Sequence, residues 1–304
     1  MYKIRNFAAR LSRSTPYFRG KRRLGNLVSY VVSDLSSEQA CIEKIKMKNQ
    51  SWMYLDARSR TEQWSYWTGY YDDEIITRLS SCLEENSIAF DIGANVGFYS
   101  VPIGATLQKL GGKLYAFEPV RSNFNRLSAN ISANNLEQSV FAYRLALGDE
   151  EGEIAMSMEN NMNAATGNAV MVKGKVSTDY YGTYSSAQIT RLDTFAEKHK
   201  IKSCRLIKID VEGAEAMFLR GGQSFLSKAR PIIYGEFNNL LMPKYGDTFL
   251  DVADMVSSWN YRFFKQDKQG YFEEVKEIKP KLEHMLLAPA ETSNEVLKGL
   301  GVIF

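Results

Sequence analysis

The feature that most constrains this chain is a glycine-bearing turn that directly follows a short apolar run. Run and turn together read Ala89-Phe-Asp-Ile-Gly-Ala-Asn-Val-Gly-Phe-Tyr-Ser100. We interpret the segment as a buried strand that ends in a tight turn and continues into a helix. A helix N-terminus presents unpaired N–H groups, and glycines let the backbone approach a ligand closely. The segment therefore predicts a nucleotide site.

The spacing of the glycines distinguishes between two kinds of nucleotide. Three residues separate Gly93 from Gly97, whereas the dinucleotide fingerprint is G-x-G-x-x-G. The order resembles motif I of class I S-adenosylmethionine methyltransferases, D/E-x-G-x-G-x-G, with Asn95 at the middle glycine. Asparagine is the non-glycine residue that best tolerates left-handed backbone. Asp91 suits an ammonium group, such as the methionine end of S-adenosylmethionine, and disfavours the pyrophosphate of NAD. The alternative is a turn that only packs helix on strand.

Two further acidic residues follow predicted strands. Lys113–Phe117 reads as the second strand, and Glu118 at its end is a candidate for the ribose hydroxyls, as in doubly wound folds. Pro119 then ends the strand. Asp149 follows the third strand and is either a contact for the adenine amine or a turn aspartate.

Composition and charge exclude several classes of protein. The 304 residues have an ordinary globular composition, and the three cysteines are widely spaced without a C-x-x-C pair, which favours a reducing compartment and a cytoplasmic location. The protease, serine-hydrolase and P-loop motifs H-E-x-x-H, G-x-S-x-G and G-x-x-x-x-G-K-[ST] do not occur. No apolar run reaches the ~20 residues of a membrane span.

The basic residues are concentrated at the N-terminus. Eight lysines and arginines precede the first acid, Asp34, although the net charge of the whole chain is only +3. The body is therefore acidic and is not a nucleic-acid-binding surface. In residues 1–23, Ile4, Phe7, Ala8 and Leu11 fall on one helical face beside arginines. Three interpretations stay open: a peripheral membrane contact, an organelle transit peptide, and a solvated arm.

Other elements follow from periodicity and turn residues. Residues 52–71 are rich in tryptophan and tyrosine, which indicates either an apolar cap on the sheet or a stacking wall beside the site. The segment Asn160–Ser186 is predicted to be a loop and is a candidate for substrate binding. We predict helices over Ser37–Lys48, Asp73–Glu84, Phe98–Leu107 and Asn123–Asn134. We predict strands over Val140–Leu147, Gly152–Met158, Tyr261–Gln266, Tyr271–Val275 and His284–Ala288.

Acidic residues end several strands at intervals of one βα unit. Asp210 and Glu212 follow the strand that starts at Arg205, and Glu236 closes the next. Together with Asp91 and Glu118 they should converge at one edge of a parallel sheet, where open α/β folds bind ligands. Lys208 lies on the opposite strand face from Ile207 and Ile209. It is expected to pair with one of three acids, Asp210, Glu212 or Glu236. His284 is interpreted as a strand residue.

The ordered set of motifs resembles the FkbM family of S-adenosylmethionine-dependent methyltransferases over about residues 65–240. The matching segments are Phe90–Ser100, Phe117–Pro119, Ala146–Asp149 with Gly152, Leu192–Asp193, Leu206–Glu215 and Leu219–Gly222.

The resemblance implies an α/β fold of the class I methyltransferase (Rossmann-like) type. Its doubly wound, mostly parallel sheet would have seven strands with an antiparallel closing strand. We expect a basic arm (residues 1–34), a helical and aromatic lead-in (35–86), the catalytic domain (87–291) and a tail (292–304).

The resemblance also implies transfer of a methyl group, usually to a hydroxyl of a sugar, glycan or small molecule. The residues that would bind S-adenosylmethionine are Asp91, Gly93, Asn95, Gly97, Phe98, Glu118, Pro119 and Asp149. An alcohol must lose a proton, so the candidates for a base are Asp210, Glu212 and Glu236. We expect no metal, because no compact ligand motif accompanies the carboxylates. The alternative is a Mg²⁺-assisted mechanism, since clustered carboxylates suit hard cations. The alternatives are a catalytically silent scaffold with this fold, a docking protein that acts through its arm, and an NAD-dependent oxidoreductase.

Overall fold

The central feature of the fold is a mostly parallel sheet with helices on both faces. The structure is a computed structural model that describes residues 2–15, 42–159, 170–172, 182–275 and 283–304. Within these residues the sheet has nine strands, which are β3 (Ile88–Ile92), β4 (Lys113–Phe117), β5 (Val140–Tyr143), β10 (Leu206–Ile209), β11 (Ile232–Phe237), β12 (Tyr261–Gln266), β13 (Phe272–Glu274), β14 (Glu283–Pro289) and β15 (Val302–Ile303). Their order in the sheet is β15-β13-β12-β14-β11-β10-β3-β4-β5.

Strand direction confirms the predicted class I methyltransferase sheet. Strands β5, β4, β3, β10 and β11 are parallel to one another. Strand β14 is antiparallel to both of its neighbours, β11 and β12, and is the expected closing strand. The short strands β13 and β15 extend this seven-strand core at one edge.

Helices cover both faces of this sheet. They are α3 (Asp73–Ser80), α4 (Ser100–Lys109), α5 (Arg121–Ala133), α6 (Leu192–Lys198), α7 (Glu215–Gly221), α8 (Gln223–Ala229), α9 (Phe249–Ser258) and α10 (Asn294–Gly299). Buried residues of α3, α4, α5 and α10 form an apolar core on one face, and those of α6, α7, α8 and α9 form a second core on the other. Periodicity predicted α3, α4 and α5 correctly.

A separate sheet corrects the prediction of one strand over Val140–Leu147. The chain leaves the central sheet after Tyr143, and β6 (Leu145–Gly148) pairs with β9 (Gly182–Arg191) instead. Strand β7 (Gly152–Glu159) is the predicted extra strand, and it pairs with β9 and β8 (Val170–Val172). Because β8 and β9 occupy part of the segment predicted as a substrate loop, that segment is not wholly a loop. Its residues 160–169 and 173–181 lie outside the described part.

The lead-in contains a strand where a helix was predicted. Residues Ile42–Lys46 form β1, which pairs antiparallel with β2 (Trp52–Asp56). Side chains along β1 alternate between exposed and buried, which is a strand period rather than a helical one. The prediction over Ser37–Lys48 is therefore wrong from residue 42 onward, and residues 37–41 lie outside the described part. Helix α2 (Arg60–Thr68) follows and buries Tyr66 completely.

Part of the basic arm is a helix that packs on α2. In α1 (Tyr2–Ser14), Arg5 and Asn6 are buried, and Asn6 accepts a hydrogen bond of 2.8 Å from the Tyr66 hydroxyl. Phe7 and Leu11 are 70% and 58% exposed. None of the described helices is both long and apolar enough to cross a bilayer.

A buried ion pair fixes the lead-in to helix α5, which packs on the central sheet. The guanidinium of Arg126 on α5 donates to both carboxylate oxygens of Glu62 on α2, at 2.8 and 2.7 Å. Glu62 is fully buried and also accepts a hydrogen bond from the main-chain N–H of Asp56, at 2.8 Å. Nearby, the amide oxygen of Asn130 accepts from the N–H of Tyr54, at 2.6 Å. These contacts hold α2 and β2 against α5.

We predict that Glu62→Ala lowers the free energy of unfolding by about 3–5 kcal/mol, because the Arg126 charge loses its buried partner. Chemical denaturation measures this. The matched control is Glu84→Ala, which removes the exposed partner of Arg205 and should cost below about 1 kcal/mol. Equal losses in the two variants would contradict the buried pair as the anchor of the lead-in.

Candidate active site

The glycine turn after β3 has the backbone that its residue types predicted. Gly93, Asn95 and Gly97 have φ angles of +75°, +50° and +96°, so Asn95 adopts the left-handed conformation expected of it. A Cβ atom at Gly93 would overlap the main-chain oxygen of Asp210. At Gly97 it would lie 2.9 Å from Leu127 of α5. The two glycines thus permit close contact of the turn with β10 and with α5.

A buried lysine lies directly behind this turn. The ammonium of Lys208 on β10 donates to the main-chain oxygen of Gly93 at 2.9 Å and pairs with the Asp91 carboxylate at 3.3 Å. It also lies 3.8 Å from Asp210, so it pairs with one of the three acids expected for it. Burial works against the charged ammonium, but the carboxylates of Asp91 and Asp210 outweigh it and raise the pKa of Lys208.

A pocket opens at the carboxyl ends of β3, β4, β10 and β11, and Asp91 is not among the residues that line it. Asp91 belongs instead to the buried pair with Lys208. Its side chain is almost fully buried, and it accepts a hydrogen bond of 2.5 Å from the Ser100 hydroxyl at the start of α4. The structure therefore places Asp91 where it orients the turn and the helix. Direct contact with a ligand ammonium stays a prediction.

Glu118 lies at the end of β4 and lines the pocket with Pro119. Its two carboxylate oxygens accept hydrogen bonds from the main-chain N–H groups of Asn95 and Val120, at 2.8 and 2.9 Å. Burial raises the pKa of Glu118 to about 7, although these N–H groups act in the opposite direction. Glu118 thereby joins the turn after β3 to the end of β4.

The three candidate bases lie together at the same edge of the sheet. Asp210, Glu212 and Glu236 all line the pocket. Burial raises the pKa of Glu212 to about 7, with further contributions from the negative charges of Asp210 and Glu236. Burial and then the charge of Asp210 raise the pKa of Glu236 as well. The carboxylate of Glu236 also lies 3.8 Å from the imidazole of His284, on the neighbouring strand β14.

Glu215 was not among the predicted site residues. It is fully buried in the first turn of α7, and one carboxylate oxygen accepts a hydrogen bond of 3.0 Å from the N–H of Gly213. The other oxygen has no hydrogen-bond partner among the described residues. Burial raises its pKa to about 8. Its position three residues after Glu212, where a helix was predicted to begin, was the signal available in the sequence.

Besides Asp91, three other predicted cofactor residues do not line the pocket. Asp149 accepts a hydrogen bond of 2.9 Å from Arg220, which also pairs with Asp247 at 2.6 Å. Gly97 contacts α5, and Phe98 is buried beneath the ring of Tyr71, with 3.9 Å between ring centroids. Their roles toward a cofactor stay predictions.

The pocket itself is a cavity of about 230 Å³ at the carboxyl ends of β3, β4, β10 and β11. Four of the predicted cofactor residues and all three candidate bases line it. The lead-in and the second sheet also contribute lining residues, which include Thr61, Tyr71, Met156 and Met171. Tyr71 and Met171 lie in segments that were predicted to border a ligand, whereas Thr61 and Met156 were not predicted as site residues. The described residues include no group of three or more histidine, cysteine or acidic side chains arranged for a metal ion.

The residues of this pocket fit S-adenosylmethionine. Its ammonium and sulfonium are cationic, and the lining carries four carboxyl groups. The side-chain oxygen of Asn95 is buried without a hydrogen-bond partner among the described residues, which leaves an acceptor at the turn. Fold and site together define the class I methyltransferase type.

Comparison with known proteins identifies the family. The model of the methyltransferase FkbM domain matches residues 91–263, so the chain belongs to the FkbM methyltransferase family. The cofactor that this membership indicates is S-adenosylmethionine.

Several named proteins are similar to this chain. The hexuronic acid methyltransferase AglP of Haloferax volcanii is 28% identical over 162 residues, which cover 53% of this chain and 61% of AglP. Methyltransferase 1 of Beauveria bassiana is 23% identical, over 60% of this chain and 76% of that protein. The crystal structure of an FkbM methyltransferase from Methylobacillus flagellatus aligns with a TM-score of 0.43 and 14% identity, over 68% of this chain and 44% of that one.

We predict a specific pH dependence of stability from Glu118. Because folding raises its pKa to about 7, the folded state binds this proton more tightly than the unfolded chain does. Stability from Glu118 is therefore present at low pH and is lost as the pH rises from its unfolded value through 7.

Glu118→Gln keeps the shape of the protonated carboxyl and removes the titration. The unfolding free energy of the wild type relative to this variant should fall by on the order of 2 kcal/mol between about pH 4.5 and 7. Other raised acids, including Glu212 and Glu215, are common to both proteins and cancel. A difference that is constant with pH would contradict the assignment.

Proposed function

We propose that this protein is an S-adenosylmethionine-dependent O-methyltransferase that acts on a hydroxyl of a sugar, a glycan or another small molecule. The observation that carries the proposal is the shared pocket. The cofactor-type turn and Glu118 line one part of it, and three carboxyl groups line another. Methyl transfer requires the donor and the hydroxyl acceptor to be bound side by side, and one pocket with both kinds of residue provides for this.

Residues at the ends of β3 and β4 would hold the donor. Gly93 and Asn95 would lie along its methionine part, and Glu118 would accept hydrogen bonds from the ribose hydroxyls. When bound, S-adenosylmethionine supplies a methyl group that is already activated by the sulfonium. The protein then has to align the acceptor oxygen with that methyl group and keep water out.

Glu212 is the best-matched base among the three candidates. As the new oxygen–carbon bond forms and the carbon–sulfur bond breaks, the hydroxyl proton must pass to a nearby acceptor. A carboxylate whose pKa is about 7 takes up a proton more readily near neutral pH than an ordinary glutamate does. Asp210 and Glu236 surround Glu212 with negative charge and support this role.

Two observations bear on the acceptor. AglP, similar over half of this chain, is named a hexuronic acid methyltransferase, which supports a sugar acceptor here. Aromatic and methionine side chains, among them Tyr71, Met156 and Met171, line the pocket and suit a ring-shaped ligand. The geometry offers less to the alternatives. A silent scaffold has no need of carboxyl groups with raised pKa values, and NAD requires a phosphate site beside the turn.

Contact of residues 1–23 with a membrane is a separate proposal. Its support is the exposure of Phe7 and Leu11 beside the exposed Arg10 on α1. The burial of Arg5 and Asn6 against α2 shows that part of this helix serves the fold.

We predict that Glu212→Gln lowers kcat about 100-fold or more, because the amide cannot accept the hydroxyl proton. The assay measures transfer of labelled methyl from S-adenosylmethionine to a panel of glycosides and small alcohols, and mass spectrometry locates the product ether. In the wild type, kcat should rise with pH through about 7, as Glu212 becomes deprotonated. The variant should lack that rise.

Glu295→Gln is the control, since Glu295 is exposed on α10. Glu236→Gln tests the competing base. If only the Glu236 variant removes the rise with pH, Glu212 is not the base. If label appears in an ester or an amine instead of an ether, O-methylation of a hydroxyl is wrong.

A further inference from the structure

The lead-in contributes a tyrosine to the candidate cofactor pocket. Tyr71 lies between α2 and α3, outside residues 91–263 that define the family match. It nevertheless lines the same cavity as Gly93, Asn95 and Asp210. One wall of the site therefore comes from a segment that the family motifs do not include.

Aromatic neighbours fix the ring of Tyr71. The ring lies flat against that of Phe98, with 3.9 Å between centroids and 5° between planes. It also meets the ring of Tyr99 edge-on at 6.1 Å. Phe98 and Tyr99 directly follow Gly97, so the position of Tyr71 depends on the glycine turn itself. A side chain held in this way loses little conformational entropy when it binds a ligand.

The hydroxyl of Tyr71 is a free hydrogen-bond donor. In the part of the chain that the structure describes, it has no hydrogen-bond partner. Burial raises the pKa of Tyr71, and the neighbouring charges of Asp72 and Asp210 raise it further. The phenol therefore keeps its proton at all ordinary pH values and offers an O–H group to the cavity.

The charge of the pocket creates a need for such a donor. Among described residues the lining includes four acids, Glu118, Asp210, Glu212 and Glu236, and no lysine or arginine. Lys208 lies behind the turn and is engaged by Asp91, Asp210 and the Gly93 oxygen. The acids suit the ammonium and sulfonium of S-adenosylmethionine. The carboxylate of S-adenosylmethionine, by contrast, needs hydrogen-bond donors, and the described lining residues can supply these only from uncharged groups.

We propose that the Tyr71 hydroxyl donates a hydrogen bond to the carboxylate of the methionine part of the methyl donor. This inference rests on the proposed function, because it assumes that the pocket binds S-adenosylmethionine. It makes the lead-in a part of the cofactor site and Tyr71 a cofactor-binding residue.

The test compares two ligands that differ only in this carboxylate, S-adenosylmethionine and decarboxylated S-adenosylmethionine. Calorimetry measures the Kd of each for the full chain and for Tyr71→Phe, which keeps the stacked ring and removes only the hydroxyl. The variant should bind S-adenosylmethionine about 10- to 100-fold more weakly, the usual effect of losing a hydrogen bond to a charged group. Its Kd for the decarboxylated ligand should be unchanged.

Tyr70→Phe is the matched control, because Tyr70 is the adjacent tyrosine and does not line the pocket. Its Kd for both ligands should equal that of the wild type. Unchanged binding of S-adenosylmethionine by Tyr71→Phe would overturn the inference, as would an equal loss for both ligands. If the wild type binds neither ligand, the proposed function itself fails. Binding by the wild type with no effect of Tyr71→Phe overturns only the role of Tyr71.

Discussion

The contact of Lys208 with Asp91 and the Gly93 oxygen is the interaction on which the site depends. Lys208 and Asp91 face each other in register on the adjacent parallel strands β10 and β3. Both side chains are buried, and an unpaired charge at this depth would be strongly destabilising. The pair therefore fixes the strand ends against each other. Through Gly93 and Ser100 it also fixes the turn and the start of α4.

This arrangement also sets the charge of the pocket. Lys208 is a cation behind the turn, and its charge is largely compensated by Asp91 and Asp210. Little positive charge remains to balance Glu212 and Glu236. Burial and the neighbouring negative charges therefore raise the pKa of both carboxyl groups. The result is a cavity that favours a cationic ligand and in which the pKa values of Glu118 and Glu212 are raised to about 7. In the proposed function, donor binding and proton acceptance would therefore have a common electrostatic origin.

The sequence predicted those parts of the site that depend on local backbone chemistry. Glycine spacing and the asparagine at position 95 indicated the turn, and the strand-end positions of Glu118, Asp210 and Glu236 placed them at one sheet edge. Parallel strands necessarily bring their carboxyl ends together, so this convergence needed no tertiary information. The resemblance to a family supplied the order of the sheet.

What the sequence did not reveal depends on contacts between distant segments. The partners that engage Asp91 and Asp149 are Lys208 and Arg220, which are about 117 and 71 residues away in the chain. The break between β5 and β6 follows from pairing with β9, more than 30 residues later. Tyr71 was one of many aromatic residues in the lead-in, and only packing on Phe98 distinguishes it. In β1, polar and apolar residues alternate over only five positions, which is too short a run to identify a strand. The charged composition of the segment favoured a helix instead.

The assignment of the pocket is tested most directly by amide hydrogen exchange with and without S-adenosylmethionine, read by mass spectrometry, with NAD as the control ligand. If the pocket binds the methyl donor, exchange should slow in the turn over residues 93–97, around Glu118 and in the lead-in around Tyr71, with no change on adding NAD. Protection by NAD, or protection by S-adenosylmethionine confined to other parts of the chain, would contradict the assignment of this pocket as the methyl-donor site.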